Sequence, residues 1–68
     1  MDFLPCEFQE GTLLVKIDEI IKIEIDNVNI EKIETDDEKI RIKVYKEKIP
    51  HFFECLVKTK YLRQLINK

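Results

Sequence analysis

The chain has no alanine, no serine and no tryptophan, one glycine and two prolines. Without serine, and with His51 as its lone histidine, it cannot assemble a Ser/His/Asp set. A single glycine, Gly11, cannot build a glycine-rich phosphate loop. No apolar run approaches the ~18–20 residues that a membrane span needs. The opening Met1-Asp2-Phe3-Leu4-Pro5 lacks the basic and apolar regions of a signal peptide, so an intracellular, cytoplasmic protein without a membrane partner is expected. Low-complexity tracts are missing too, and a hydrophobic share of 44% is too high for a disordered tail. At 68 residues the chain is one domain or less. So small a domain has little left from which to build a pocket, and neither catalysis nor a cofactor is expected.

What is present is isoleucine, lysine and glutamate, in a chain that is 38% charged. An AT-rich genome and life at high temperature both favour that composition, and either fits a small bacterial, archaeal or viral protein. The charge is divided along the chain. Residues 1–38 carry three lysines against twelve acids, −9, and residues 39–68 carry nine bases against Glu47 and Glu54, +7. Such an asymmetry marks either a face for nucleic acid or two halves that pack together and neutralise each other. The second is favoured, because strands of opposite sign pair well.

Residues 1–11 read as an irregular arm, with Phe3, Leu4 and Phe8 apolar and Pro5 unable to donate to a sheet ladder. Residues 12–46 alternate with period two, the mark of strands with one wet face. Leu13, Val15 and Ile17 form one set, Ile21, Ile23 and Ile25 the next, then Val28 and Ile30, and finally Ile40, Ile42 and Val44. Asp26-Asn27 and Asp36-Asp37 suit tight hairpins. A turn at Asp18-Glu19-Ile20 would pair Val15 with Ile23; the alternative, a single strand from Leu13 to Ile25, would run about 40 Å, long for so small a domain. The apolar phase slips between Ile30 and Ile33, which predicts a bulge at Glu31-Lys32.

Over residues 49–67 the period changes to 3.6. Phe52, Cys55, Leu56, Thr59, Leu62 and Ile66 fall on one stripe, and Pro50 fits a first helical position, although neither Lys48 nor Ile49 offers a capping oxygen. The expected fold is α+β: an antiparallel meander of about four strands over 12–46, carrying a C-terminal helix over 49–67 on its apolar face. Its core would be Leu13, Val15, Ile17, Ile21, Ile23, Ile25, Val28, Ile30, Ile33, Ile40, Ile42, Val44, Phe52, Leu56, Leu62 and Ile66.

Three candidate sites follow. A helix over 49–67 would bear a second apolar row, Phe53, Val57, Tyr61 and Leu65. A sheet shelters only one stripe, so either the arm folds over this row or a protein partner or second copy does. The strand at 39–45 places Lys39, Arg41, Lys43 and Tyr45 on its wet face, a pattern that binds phosphates and stacks a base unless acids such as Glu31 and Glu34 face it. His51 and Cys55, with Cys6 from the arm, could supply soft ligands to a zinc ion, with Glu7, Glu54 or a second chain completing the set. A Cys6–Cys55 disulfide or two free cysteines are the other readings. The acid clusters Asp18-Glu19 and Asp36-Asp37-Glu38 fall where turns are expected, and turns attract Asp for local backbone bonding.

Glu38-Lys39-Ile40-Arg41-Ile42 and Ile49-Pro50-His51 resemble stretches of the carbon-storage-regulator type of RNA-binding protein, also a small strand-rich chain ending in a helix. The arginine which that family has after the histidine is Phe52 here, and no arginine ends the first strand. The RNA-contacting groups are therefore missing, and the resemblance does not bring the function with it. The sequence reads first as a small interaction module, self-associating or docking on a larger protein, for instance as a phage- or virus-encoded inhibitor or an accessory subunit. A nucleic-acid binder comes second, and a zinc-stabilised fold third.

Overall fold

Period-two alternation becomes strand pairing in the computed structural model, which describes residues 1–25 and 32–66. Among the described residues five strands precede one helix: β1 (Phe3–Phe8), β2 (Gly11–Lys16), β3 (Ile20–Ile25), β4 (Lys39–Lys46), β5 (Phe52–Lys58) and α1 (Thr59–Ile66). The strands make one antiparallel sheet in the order β2-β1-β5-β4-β3. The class is α+β as the sequence predicts, with five strands rather than four and with strand order departing from a simple meander.

The connection between β2 and β3 dictates the shape of the sheet. These strands lie at opposite edges, yet only the 3-10 turn Ile17–Glu19 joins them. Four Cα steps span at most about 14 Å. Four strand spacings in a flat sheet cover about 19 Å. The sheet must therefore roll until its edges approach, and backbone bonds fix both ends of the turn. Ile17 N–H donates to Asp2 O at 3.0 Å, and Glu47 N–H donates to Glu19 O at 3.0 Å.

The concave side of the roll holds the core. Leu4 and Cys6 from β1, Val15 from β2, Ile40, Ile42 and Val44 from β4, Cys55 and Val57 from β5 and Leu62 from α1 are buried together. The register explains the set, because Leu4 faces Val15, Ile40 faces Val57 and Ile42 faces Cys55, all on the inner side. Ile17, Ile23, Ile25 and Ile33 pack against it half-buried. Of the other expected core residues, Leu13, Ile21, Phe52, Leu56 and Ile66 are exposed. Val28 and Ile30 lie outside the described residues, as do the hairpin at Asp26-Asn27 and the Glu31 side of the expected bulge.

Four local expectations give way, each for a physical reason. The arm at 1–11 is instead β1, a Gln9-Glu10 turn and the start of β2. Proline is tolerated inside this central strand because of where its missing donor falls. Even-numbered residues of β1 bond towards β2, so Pro5 faces β5, and extending the single Glu7–Leu56 pair puts Pro5 level with Lys58, where β5 ends. Gly11 follows the turn at φ 143°, a conformation that side chains rarely adopt. The expected pairing of Val15 with Ile23 is absent, since β2 and β3 lie at opposite edges. Ile21 leaves the core because a register shift between Ile20 and Lys22 makes it the extra residue of a bulge. The Asp36-Asp37 turn forms, but it leads into β4 without a hairpin partner, because Ile33 is in no strand.

The largest correction concerns 49–67, where the helix is only Thr59–Ile66. Residues 52–58 satisfy both periods: Phe52, Cys55 and Leu56 share a helical stripe, while Phe53, Cys55 and Val57 share a strand face. Pairing with β4 along Tyr45–Phe52 to Lys39–Lys58 satisfies the backbone over seven residues, and a helix here would have had no cap. The helix starts where its orphan amides find carbonyls. Thr59 N–H and Oγ1 both donate to Glu38 O at 2.8 Å, and Lys60 N–H donates to Asp36 O at 3.1 Å. Arg63 adds hydrogen bonds to the Asp36 carboxylate and the Ile33 carbonyl.

The two charged halves do neutralise each other. Lys39 pairs with Glu7 at 2.8 Å, Lys46 with Glu19 at 3.3 Å, Lys58 and Lys60 with Asp37, and Arg63 with Asp36. Each pair joins a base of the second half to an acid of the first.

Candidate functional site

The apolar row expected on one helix is split between two elements. Phe53 and Val57 lie on β5, and Tyr61 and Leu65 on α1. Val57 has no exposed surface at all, while Phe53, Tyr61 and Leu65 are half-buried against the core. Strand geometry turns Phe53 and Val57 inward, so the four do not form a continuous docking stripe.

The basic strand is arranged as the sequence predicts. Lys39, Arg41, Lys43 and Tyr45 share the outer face of β4, since Ile40, Ile42 and Val44 fill the inner one. Of the acids expected opposite them, Glu31 lies outside the described residues and Glu34 is in no strand. The neighbours of β4 are β3 and β5, and the acids supplied are Glu24 and Glu54 beside Lys43, together with Glu7 on Lys39. Tyr45 lies against Phe52, with ring centroids 5.4 Å apart. Lys22 Nζ sits 4.8 Å above the Tyr45 ring and Lys43 Nζ 5.0 Å above Phe52. Lys22 also pairs with Glu24 at 2.9 Å. The Lys22 ammonium, foremost, and the Tyr45 hydroxyl hold the Glu24 carboxyl below the usual carboxylate range. Most of this face is thus engaged in cross-strand pairs of its own.

Cys6 and Cys55 are both buried and free. They meet on the inner face, where a hydrogen bond between the thiols, foremost, and burial push the Cys55 thiol up. His51 stands exposed at the bend before β5. Among the described residues, no three His, Cys, Asp or Glu side chains gather as a metal-ligand group.

The feature that the expected sites omit is the free edge of β2. Leu13 and Leu14 are adjacent, on opposite faces of the strand, and are 55% and 59% exposed. Phe3, on the neighbouring strand, is 43% exposed. Beside them lies a groove of about 430 Å³ whose apolar wall includes Phe3, Phe8, Leu13, Leu14, Ile49 and Phe53. The Phe8 and Phe53 rings meet across its floor at 5.9 Å. The Lys46–Glu19 pair stands at its rim.

The backbone phase of β2 completes the site. Because Ile17 donates to Asp2, the odd-numbered residues of β2 bond to β1, and the even-numbered ones turn their amides and carbonyls outward. Thr12, Leu14 and Lys16 therefore offer unpaired backbone groups, and no described strand lies beyond them. A trace of this was visible in the sequence. Thr12-Leu13-Leu14-Val15 interrupts the alternation with an apolar doublet, so the strand is greasy on both faces.

Searched against known proteins, the chain matches no family model, no curated protein and no solved structure.

Proposed function

We propose that the protein is an interaction module that binds another polypeptide by strand addition to β2, with the partner's side chains seated in the adjoining groove. The observation that carries this reading is the conjunction at β2 of outward-facing backbone groups, two exposed leucines and an apolar groove. Strand addition uses those three parts, with main-chain hydrogen bonds for affinity and pockets for alternate side chains.

The competing reading places single-stranded nucleic acid on the outer face of β4. The pair of half-buried Tyr45 and exposed Phe52 beside Lys22 and Lys43 supports it. Against it, Lys39 and Lys22 are already paired with Glu7 and Glu24, which leaves little net charge to release counterions from phosphates.

A random-peptide selection on the immobilised full chain tests the choice. The expected ligands are extended peptides with alternating apolar residues, which slow hydrogen exchange at the Thr12, Leu14 and Lys16 amides. Leu14→Pro removes an outward amide without touching the β1 ladder, so it should keep the circular dichroism spectrum and lose the peptides. Peptides retained by Leu14→Pro would overturn the reading. So would salt-sensitive oligonucleotide binding that exceeds peptide binding and falls on Arg41→Glu.

A further inference from the structure

We infer that the natural occupant of the β2 edge is a second copy of this chain, added antiparallel about a two-fold axis normal to the sheet, with Leu13 opposite Leu13. This rests on the strand-addition reading and names its partner.

The strand's own geometry restricts how it can pair with itself. Directly opposed residues in an antiparallel pair share a face, so a two-fold pairing must be centred on a residue rather than on a peptide bond. Three centres keep most of β2 in register: Thr12, Leu13 and Leu14. Centring on Thr12 sets the apolar Leu14 against the Glu10 carboxylate and carries Lys16 past the end of the partner strand. A Leu14 centre sets Glu10 against Asp18, two like charges. Only the Leu13 centre is complementary throughout. Thr12 then exchanges its outward backbone bonds with Leu14, and Glu10 of each copy faces Lys16 of the other.

The charges and apolar groups left over fit that arrangement. Glu10 and Lys16 are both exposed, and neither makes an ion pair with a described residue. On the inner side the paired Leu13 residues would cover the mouth of the groove above Phe8 and Phe53. On the outer side Leu14 would lie beside Thr12. Glu10 in the turn before β2 and Lys16 at its end thus flank the apolar stretch with one charge each, of opposite sign, as a self-complementary edge requires.

Sedimentation equilibrium on the full chain at low salt tests the inference. A two-copy species is expected. Glu10→Lys or Lys16→Glu alone should weaken it about ten-fold, because each change turns two attractions into two repulsions. The double variant Glu10→Lys/Lys16→Glu should restore the association to within about three-fold, and an equimolar mixture of the two single variants should form mixed pairs in preference to like pairs. A chain that stays a monomer at millimolar concentration overturns the inference. So does a two-copy species indifferent to these charges, or one that Leu14→Pro does not weaken. If the chain is a monomer yet binds selected peptides with its Leu14 amide protected, strand addition stands and only self-pairing falls.

Discussion

Among the described residues the sheet has two edges, β2 and β3, and they are built in opposite ways. At β3 the edge is interrupted: a bulge throws Ile21 out of register, Lys22 and Glu24 pair along the strand, and Lys22 folds back over Tyr45. Bulges and charged side chains are the devices by which sheet edges are kept from pairing with other chains. At β2 there is no bulge, and the one charge stands at the strand's end. Six consecutive residues pair regularly with β1, Lys16 is the strand's only charged residue, and Leu13 and Leu14 extend to opposite sides. The contrast holds within one small sheet of one composition, so it is not a consequence of the lysine- and glutamate-rich surface as a whole. One edge carries a bulge and a charged pair, and the other presents a regular row of outward backbone groups between exposed leucines.

The most direct way to break the comparison is to put the same charge on each edge. Leu14→Lys places an ammonium in the middle of the β2 contact and is expected to weaken two-copy association at least ten-fold, about 1.4 kcal/mol or more. Ile21→Lys, at a residue 69% exposed on β3, is expected to leave association unchanged within two-fold. Light scattering across a concentration series reads both. Equal effects from the two substitutions would show that the edges do not differ in the way their residues suggest.

The legibility of this fold in its sequence follows the same division between local and long-range causes. The strand at 39–46 is plain because Ile40, Ile42 and Val44 alternate with Lys39, Arg41, Lys43 and Tyr45, and a strand buried on one face needs nothing more to declare its sides. The Asp36-Asp37 turn is legible for a similar reason, since its chemistry is local. Residues 52–58 are not, because aromatics and Val57 at those positions satisfy both periods, and only the waiting edge of β4 decides between them. Pro5 argues against a strand until its missing amide is seen to fall at the very end of β5. Strand order is hidden altogether. It depends on contacts between Phe3–Phe8 and Phe52–Lys58, segments far apart in sequence, which no local pattern encodes. The candidate site fared accordingly. Lys39, Arg41, Lys43 and Tyr45 share a face as their spacing says, whereas the spacing of Phe53 and Val57 points to a helix that begins only after them.

Removing the guard from β3 sharpens the comparison further. In the double variant Lys22→Val/Glu24→Val, the β3 edge loses its charges and gains β-branched surface. On the proposal that β2 pairs two copies, a second sticky edge would allow chains to link end to end. The expected outcome is species larger than two copies at concentrations where the parent protein stops at two. An unchanged mass would assign the protection of this edge to the Ile21 bulge alone.

The smallest effect concerns what the Lys22–Glu24 pair contributes to the fold. The Glu24 carboxyl titrates below its ordinary range, chiefly through its hydrogen bond with Lys22. A carboxyl whose folded value is depressed adds stability that is fully present above its unfolded value of about 4.3 and is lost as the pH falls through the folded one. Lys22 shifts the other way, upward, so its share is present through neutral pH and is lost only as the pH rises through its own folded value. Both groups are open to solvent, where screening keeps such pairs weak. Glu24→Gln should therefore cost little at pH 7 and nothing at pH 2, and the gap between variant and parent in a urea titration should close as the pH drops below about 4. Added salt at pH 7 should close it too, since both changes remove the same attraction. A gap that persists at pH 2 would mean that Glu24 acts through packing or through its contact with Tyr45 rather than through charge. The guard at β3 would then be steric, and the two edges would differ in shape alone.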